Sequence, residues 1–187
     1  MTIITPDELE RQVYEASKLA FSYLLHANPE EKFYTFALWT DDSLQFLNPV
    51  ANTEDGLDRT VQRYRKEVDP KYNTTSTHDG MRWSYGDWVF FPDIGEEQFA
   101  DINDSLNSIF NLDMTDDEYD EIMEPLWVAI IKGFARLDSD GFFGADEGRH
   151  KITLLIVGDL PEELLYDCAK NLNPTVIADE YINWTAE

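Results

Sequence analysis

The chain has 187 residues, 43% of them hydrophobic, with 11 Phe, 9 Tyr and 5 Trp; that is enough apolar material for one sizeable core and too much for a disordered acidic tail. Its 14 Lys and Arg stand against 38 Asp and Glu, a formal charge of −24. Nucleic acid and anionic membrane surfaces repel such a chain, which excludes them as natural partners and makes a basic protein the complement.

The opening Met1-Thr-Ile-Ile-Thr-Pro-Asp-Glu8 has neither the basic start nor the apolar stretch of an export signal. Thr5-Pro6-Asp7-Glu8 instead starts a helix, and Leu9, Val13, Ala16, Ala20 and Leu24 carry it to about residue 27. Residues 33–39 and 44–50 then turn to period two and to aromatic and β-prone types, predicting a hairpin whose second strand ends or lies at an edge because of Pro49. Thr53 caps a helix striped by Leu57, Val61, Tyr64 and Val68, with Arg59, Arg63, Arg65 and Lys66 as the chain's dense basic cluster. Residues 69–80 read as a polar exposed loop, and 81–90 as a strand.

Phe99, Ile102, Leu106 and Ile109 mark an amphipathic helix, and Thr115-Asp-Asp-Glu118 is a capping box that opens another, reaching about Leu137. Pro125 is expected to kink or split that helix, and Leu126–Ile131, apolar all round, is expected to be central. Residues 151–157 read as a buried strand, and Asp159-Leu-Pro-Glu162 opens a last helix with Leu164, Leu165, Cys168 and Leu172 inward. Cys168 has no partner for an internal disulfide and no run approaches ~20 apolar residues, so the expectation is a single cytoplasmic domain over residues 1–187. The expected fold is α+β: a mostly antiparallel sheet of about four strands, 33–39, 44–50, 81–90 and 151–157, covered by about five helices.

Few motifs carry chemistry. Arg136-Leu-Asp138-Ser-Asp140-Gly141 with Glu147 matches a calcium loop at its third, fifth, sixth and twelfth positions, but a cation stands at the first and a strand follows, so a helix-ending turn is preferred. His26, His78 and His150 lack zinc-ligand spacing, and Cys168 lies on an apolar helical face as a buried thiol. No nucleophile elbow, phosphate loop or dinucleotide fingerprint occurs. The reading is therefore no catalytic residue, no metal and no cofactor.

Charge distribution is the more informative signal. No Lys or Arg lies between Arg82 and Lys132, while thirteen carboxylates do. Some of these are explained as capping acids, Asp116 and Glu118 among them. The outward acids Asp101, Asp104, Asp116, Asp117, Asp120, Glu121 and Glu124 are the candidate partner-binding surface.

Residues 33–42 with 52–57, the segment Arg82-Trp83-Ser-Tyr-Gly-Asp-Trp88, and 137–144 with 149–159 together resemble the bacterial "domain of unknown function 4303" family. The resemblance implies a single-domain bacterial protein without an established activity, some members being associated with polymorphic-toxin loci where neighbours act as immunity proteins. It brings no catalytic residues; Asn52, Thr53, Trp83, Trp88, Gly144 and Arg149 are the positions that match. The resulting expectation is a cytoplasmic binding protein, specifically an immunity-type inhibitor that occludes a toxin through its acidic surface. One alternative is an enzyme or small-ligand protein with an aromatic pocket near Trp83 and Trp88 and acid–base groups among Asp87, His78 and His150. Another is a homodimeric scaffold; the sequence leaves the oligomeric state open.

Overall fold

The computed structural model describes residues 3–72, 75–91 and 94–185. At the first helix, α1 (Pro6–Ala27), the Thr5 hydroxyl accepts from the Glu8 amide at 3.3 Å and Pro6 takes the first turn, as the sequence predicts. Strands β1 (Phe33–Asp41) and β2 (Asn48–Thr53) pair antiparallel, with Pro49 opposite Leu38 on the sheet's edge strand. β2 therefore begins later than the expected 44–50. Leu44 and Leu47, both fully buried, are three residues apart, so a strand would point them to opposite faces. The chain instead loops, with Leu44 at φ 46°, the Thr40 hydroxyl donating to the Phe46 carbonyl and the Gln45 amide donating to the Asp41 carboxylate at 2.9 Å.

The expected strand over 81–90 is absent for a related reason. Trp83 and Trp88, five residues apart, would face oppositely on a strand, yet both are buried in one cluster with Tyr34 and Tyr181. The chain reaches this arrangement through a 3₁₀ turn, Tyr85–Asp87, and the Trp88 indole donates to the Arg82 carbonyl at 3.0 Å. Within 81–90 a β-bridge forms only at Phe90, whose carbonyl accepts from the Ala51 amide of β2 at 3.1 Å. Ahead of it, the segment expected as a loop over 69–80 contains α3 (Thr75–Arg82); residues 73 and 74 lie outside those described. Helix α2 (Glu54–Glu67) is capped by Thr53, whose hydroxyl accepts from the Gly56 amide at 3.0 Å.

Helix α4 (Ala100–Phe110) follows a 3₁₀ turn, Glu96–Phe99, and buries Ile102, Leu106 and Ile109. Helix α5 runs unbroken over Asp116–Ser139, so Pro125 does not split it. Pro125 and Glu121 are both exposed, so the helical bond that the proline removes is lost on the solvent side of α5 rather than in the core. The stretch 126–131 is not buried all round either, because Val128 is 46% exposed. A short α6 (Asp146–Arg149) precedes β3 (Thr153–Asp159), which lies parallel to β1 in register from Thr35 opposite Thr153 to Asp41 opposite Asp159. Helices α7 (Glu162–Leu172) and α8 (Thr175–Thr185) complete the chain.

The fold is α+β with a three-stranded mixed sheet in the order β2-β1-β3, not four antiparallel strands, and eight α-helices among the described residues rather than five. Phe36, Leu38, Leu154 and Ile156 meet α1, α4 and α5 on one face. Ala37, Leu155 and Val157 meet Leu57, the two tryptophans and Tyr181 on the other. Helices α1 and α5 approach so closely that a Cβ on Gly133 would stand 2.5 Å from the Glu10 carbonyl oxygen. Cys168 is buried and burial pushes its thiol up to about 12, so it stays protonated as an apolar packing group. No described helix is long and apolar enough to cross a membrane.

Candidate functional site

A cavity of about 880 Å³ is an open groove between α5 and α7, closed at one end by the β1–β2 loop. Its floor comes from one α5 stripe at four-residue spacing, Tyr119, Met123, Trp127 and Ile131, together with Leu164 of α7. Its rim is acidic: Asp117, Asp120, Glu121 and Glu124 stand on α5, Asp167 on α7 and Asp42 on the loop. No Lys, Arg or His is among the described residues that line it.

Local sequence explains how the acids come to stand there. The Thr115 hydroxyl accepts from the Glu118 amide at 3.4 Å, while Glu118 accepts from the Thr115 amide at 2.8 Å. That bond from Thr115 holds the Glu118 carboxyl below its usual range. Glu118 is thus committed to starting the helix, and the acids one and two turns on are left facing solvent. The Tyr119 hydroxyl donates to the Ser43 carbonyl and ties the loop carrying Asp42 to α5. Burial, and then the charges of Asp41, Asp42 and Asp120, raise the Tyr119 phenol above its usual value.

Of the acids named from sequence, the groove gathers Asp117, Asp120, Glu121 and Glu124. Asp101 and Asp104 are exposed on α4 and Asp116 on the first turn of α5, and none of the three lines it. Sequence reasoning missed Asp42 and Asp167. Neither belongs to the cation-free block, and their only sequence signal is an outward position on a turn and on the polar side of a helix.

The family-matching positions are built into the scaffold. The Asn52 amide donates to the Tyr34 hydroxyl at 2.8 Å, and its carbonyl oxygen accepts from the Val89 amide at 3.4 Å. Thr53 caps α2 and donates to Glu31 at 2.5 Å. Gly144 holds φ 92°, a turn conformation that a side chain disfavours. Arg149 is 6% exposed; it donates to the Asp138 carboxylate and to the carbonyls of Ile152 and Leu172. The residues of the calcium-like motif are likewise engaged. Asp138 holds Arg149, Asp140 accepts from Tyr14 at 2.7 Å, and the Arg136 guanidinium lies 4.2 Å from the centre of the Tyr14 ring. Among the described residues no group of His, Cys, Asp and Glu is arranged to hold a metal.

A second cavity, about 460 Å³, brings Trp83 together with Tyr34, Glu54, Arg82, His150 and Glu180. Trp88, Asp87 and His78 do not line it: Asp87 accepts from Ser84 and Tyr64, and His78 lies 3.3 Å from Asp58. Arg82 binds Glu54 through two bonds of 3.0 and 2.7 Å and lies 4.0 Å from the centre of the Tyr34 ring. The Arg82 bond keeps the Glu54 carboxyl below its usual value. The basic cluster on α2 is also paired in part, Arg59 with Glu31 at 3.1 Å and Arg63 with Asp87 at 3.4 Å.

No curated protein and no solved structure matches the chain. A family model described as a domain of unknown function (DUF4303) matches residues 13–174. That match covers most of the chain, and the protein belongs to this family.

Proposed function

We propose that the protein is a binding domain whose groove between α5 and α7 receives a basic partner, and that it works in the cytoplasm as an immunity-type inhibitor occluding a toxin. The observation that supports this reading is the groove itself: six carboxylates around an apolar floor, with no cation among its described lining residues. An apolar floor supplies area to bury, and a ring of one sign supplies steering and orientation. A surface kept acidic only for solubility needs no apolar floor between its acids.

The test is co-expression with the toxin encoded by a neighbouring gene, scored by survival and by direct binding. The wild type protects and binds tightly at low salt, with affinity falling as salt rises. The triple variant Asp117→Lys, Asp120→Lys, Glu121→Lys loses both, at an unchanged melting temperature. Binding and protection that survive this reversal overturn the reading.

A second reading, a small-ligand site, is supported by the cavity beside Trp83. Its central carboxylate, Glu54, is held ionised by Arg82, which suits a charged anchor more than a proton donor. Ligand-induced protection of Arg82 and Trp83 from hydrogen exchange is the result that favours it.

A further inference from the structure

Resting on the binding reading above, we infer that the groove takes an amphipathic basic helix of about three turns, carried by the partner. The floor runs along one stripe of an unbroken helix, from Tyr119 to Ile131 of α5. At 1.5 Å per residue that stripe is about 18 Å long, the length of about twelve helical residues. A helix about 10 Å across, sunk to half its depth over that length, displaces on the order of 700 Å³. The groove holds about 880 Å³, so such a helix fits with room for its side chains.

The lining also selects against an extended segment. An extended chain brings unpaired amides and carbonyls that need partners where water is excluded. The groove is walled by helices, so it offers no free strand edge. Of its uncharged polar side chains, the Tyr119 hydroxyl donates to Ser43 and the Asn171 amide donates to the Asp167 carbonyl at 2.7 Å, so among the described lining residues the Trp127 indole N–H is the one such group left for a partner's backbone. A helix satisfies its own backbone and presents only side chains. Apolar residues at i, i+3, i+4 and i+7 would meet Tyr119, Met123, Trp127 and Leu164. Lys or Arg on one flank would meet Asp117, Asp120 and Glu124 of α5, and on the other Asp42 and Asp167.

The test is calorimetric titration of the full chain with three synthetic peptides of about fourteen residues. The first carries Leu and Lys with the apolar residues on one helical face. A second has the same composition with the leucines dispersed around the helix, and a third has Glu in place of Lys. The patterned Leu/Lys peptide should bind at least tenfold tighter than the dispersed one, and the Glu peptide should not bind. Trp127→Ala and Leu164→Gln, each checked for an unchanged melting curve, should weaken the patterned peptide at least fivefold; two variants guard against one failing to fold. Equal binding of patterned and dispersed peptides, or insensitivity to both variants, overturns the inference, because the groove then reads charge alone. Failures of the two readings separate cleanly. If a toxin is captured and lost on charge reversal while the patterned peptide has no advantage, the helix is wrong and the binding role stands. If the patterned peptide binds as described but no toxin is neutralised, the helix site stands and the immunity role falls.

Discussion

Arg149 reaches back from the end of α6 to pair with Asp138 near the end of α5, and the same guanidinium donates to the carbonyls of Ile152 and Leu172. One buried side chain thereby joins the end of the long helix, the start of β3 and the end of α7. Asn173 extends the junction by closing the outer edge of β3. Its side chain accepts from the Leu154 amide at 2.8 Å and donates to the Leu154 carbonyl at 2.6 Å.

Removing the Arg149 guanidinium leaves Asp138 without its cation and two carbonyls without donors. Arg149→Ala is expected to destabilise by about 3 kcal/mol or more. Arg149→Lys recovers only part of that, because a point charge cannot serve three acceptors in a fixed fork. Urea unfolding checks both: the midpoint should fall with an unchanged slope.

Gly133→Ala sets two effects against each other. Alanine improves helix propensity by about 1 kcal/mol. Its Cβ would lie 2.5 Å from the Glu10 carbonyl oxygen and 3.1 Å from Val13 Cβ, and backbone of α1 cannot move aside cheaply. Overpacking of this kind costs about 1–3 kcal/mol. The variant is expected to melt lower than the wild type, as read by circular dichroism.

The Arg82–Glu54 pair ties α3 to the start of α2, and its pH dependence has a definite sign. The hydrogen bond from Arg82 lowers the folded Glu54 value beneath 4.5. Stability from the pair is therefore complete above about 4.5 and is lost as pH falls through the lower folded value. Acidification also relieves repulsion within a chain of −24, which acts the other way. The difference between wild type and Glu54→Gln isolates the pair: it should be largest near pH 7 and shrink below about pH 4. A constant difference across that range would count against it.

Tyr119→Phe removes the hydroxyl that holds Ser43 while keeping the ring in the groove floor. The loss is expected to be about 1 kcal/mol. Hydrogen exchange at residues 42–46 should rise while α5 stays protected. Affinity for a basic peptide should fall, since Asp42 is then no longer held at the rim.

The helices are legible in sequence wherever a cap and a period coincide. At α1 the Thr5-Pro6 start and the stripe from Leu9 to Leu24 act over neighbouring residues, as does the Thr115–Glu118 box of α5. The sheet is less legible. Alternation over a few residues around Met81–Tyr85 looks the same whether it becomes a strand or a helix end with a turn. The distant Tyr34 and Tyr181 decided it by drawing Trp83 and Trp88 to one side. The parallel pairing of β3 with β1 is equally nonlocal, set by which hydrophobic faces the helices could cover.

By itself, then, the sequence determined an acidic α+β chain, its family, its main helix starts and the acids that α5 turns outward, because charge, caps and periodicity are local. Only the tertiary structure decided which acids stand together. It set Asp101 and Asp104 apart on α4, brought in Asp42 from a loop and Asp167 from α7, and laid the Tyr119–Ile131 stripe between them. A groove is made by two helices meeting, and no spacing within either one records where the other will lie.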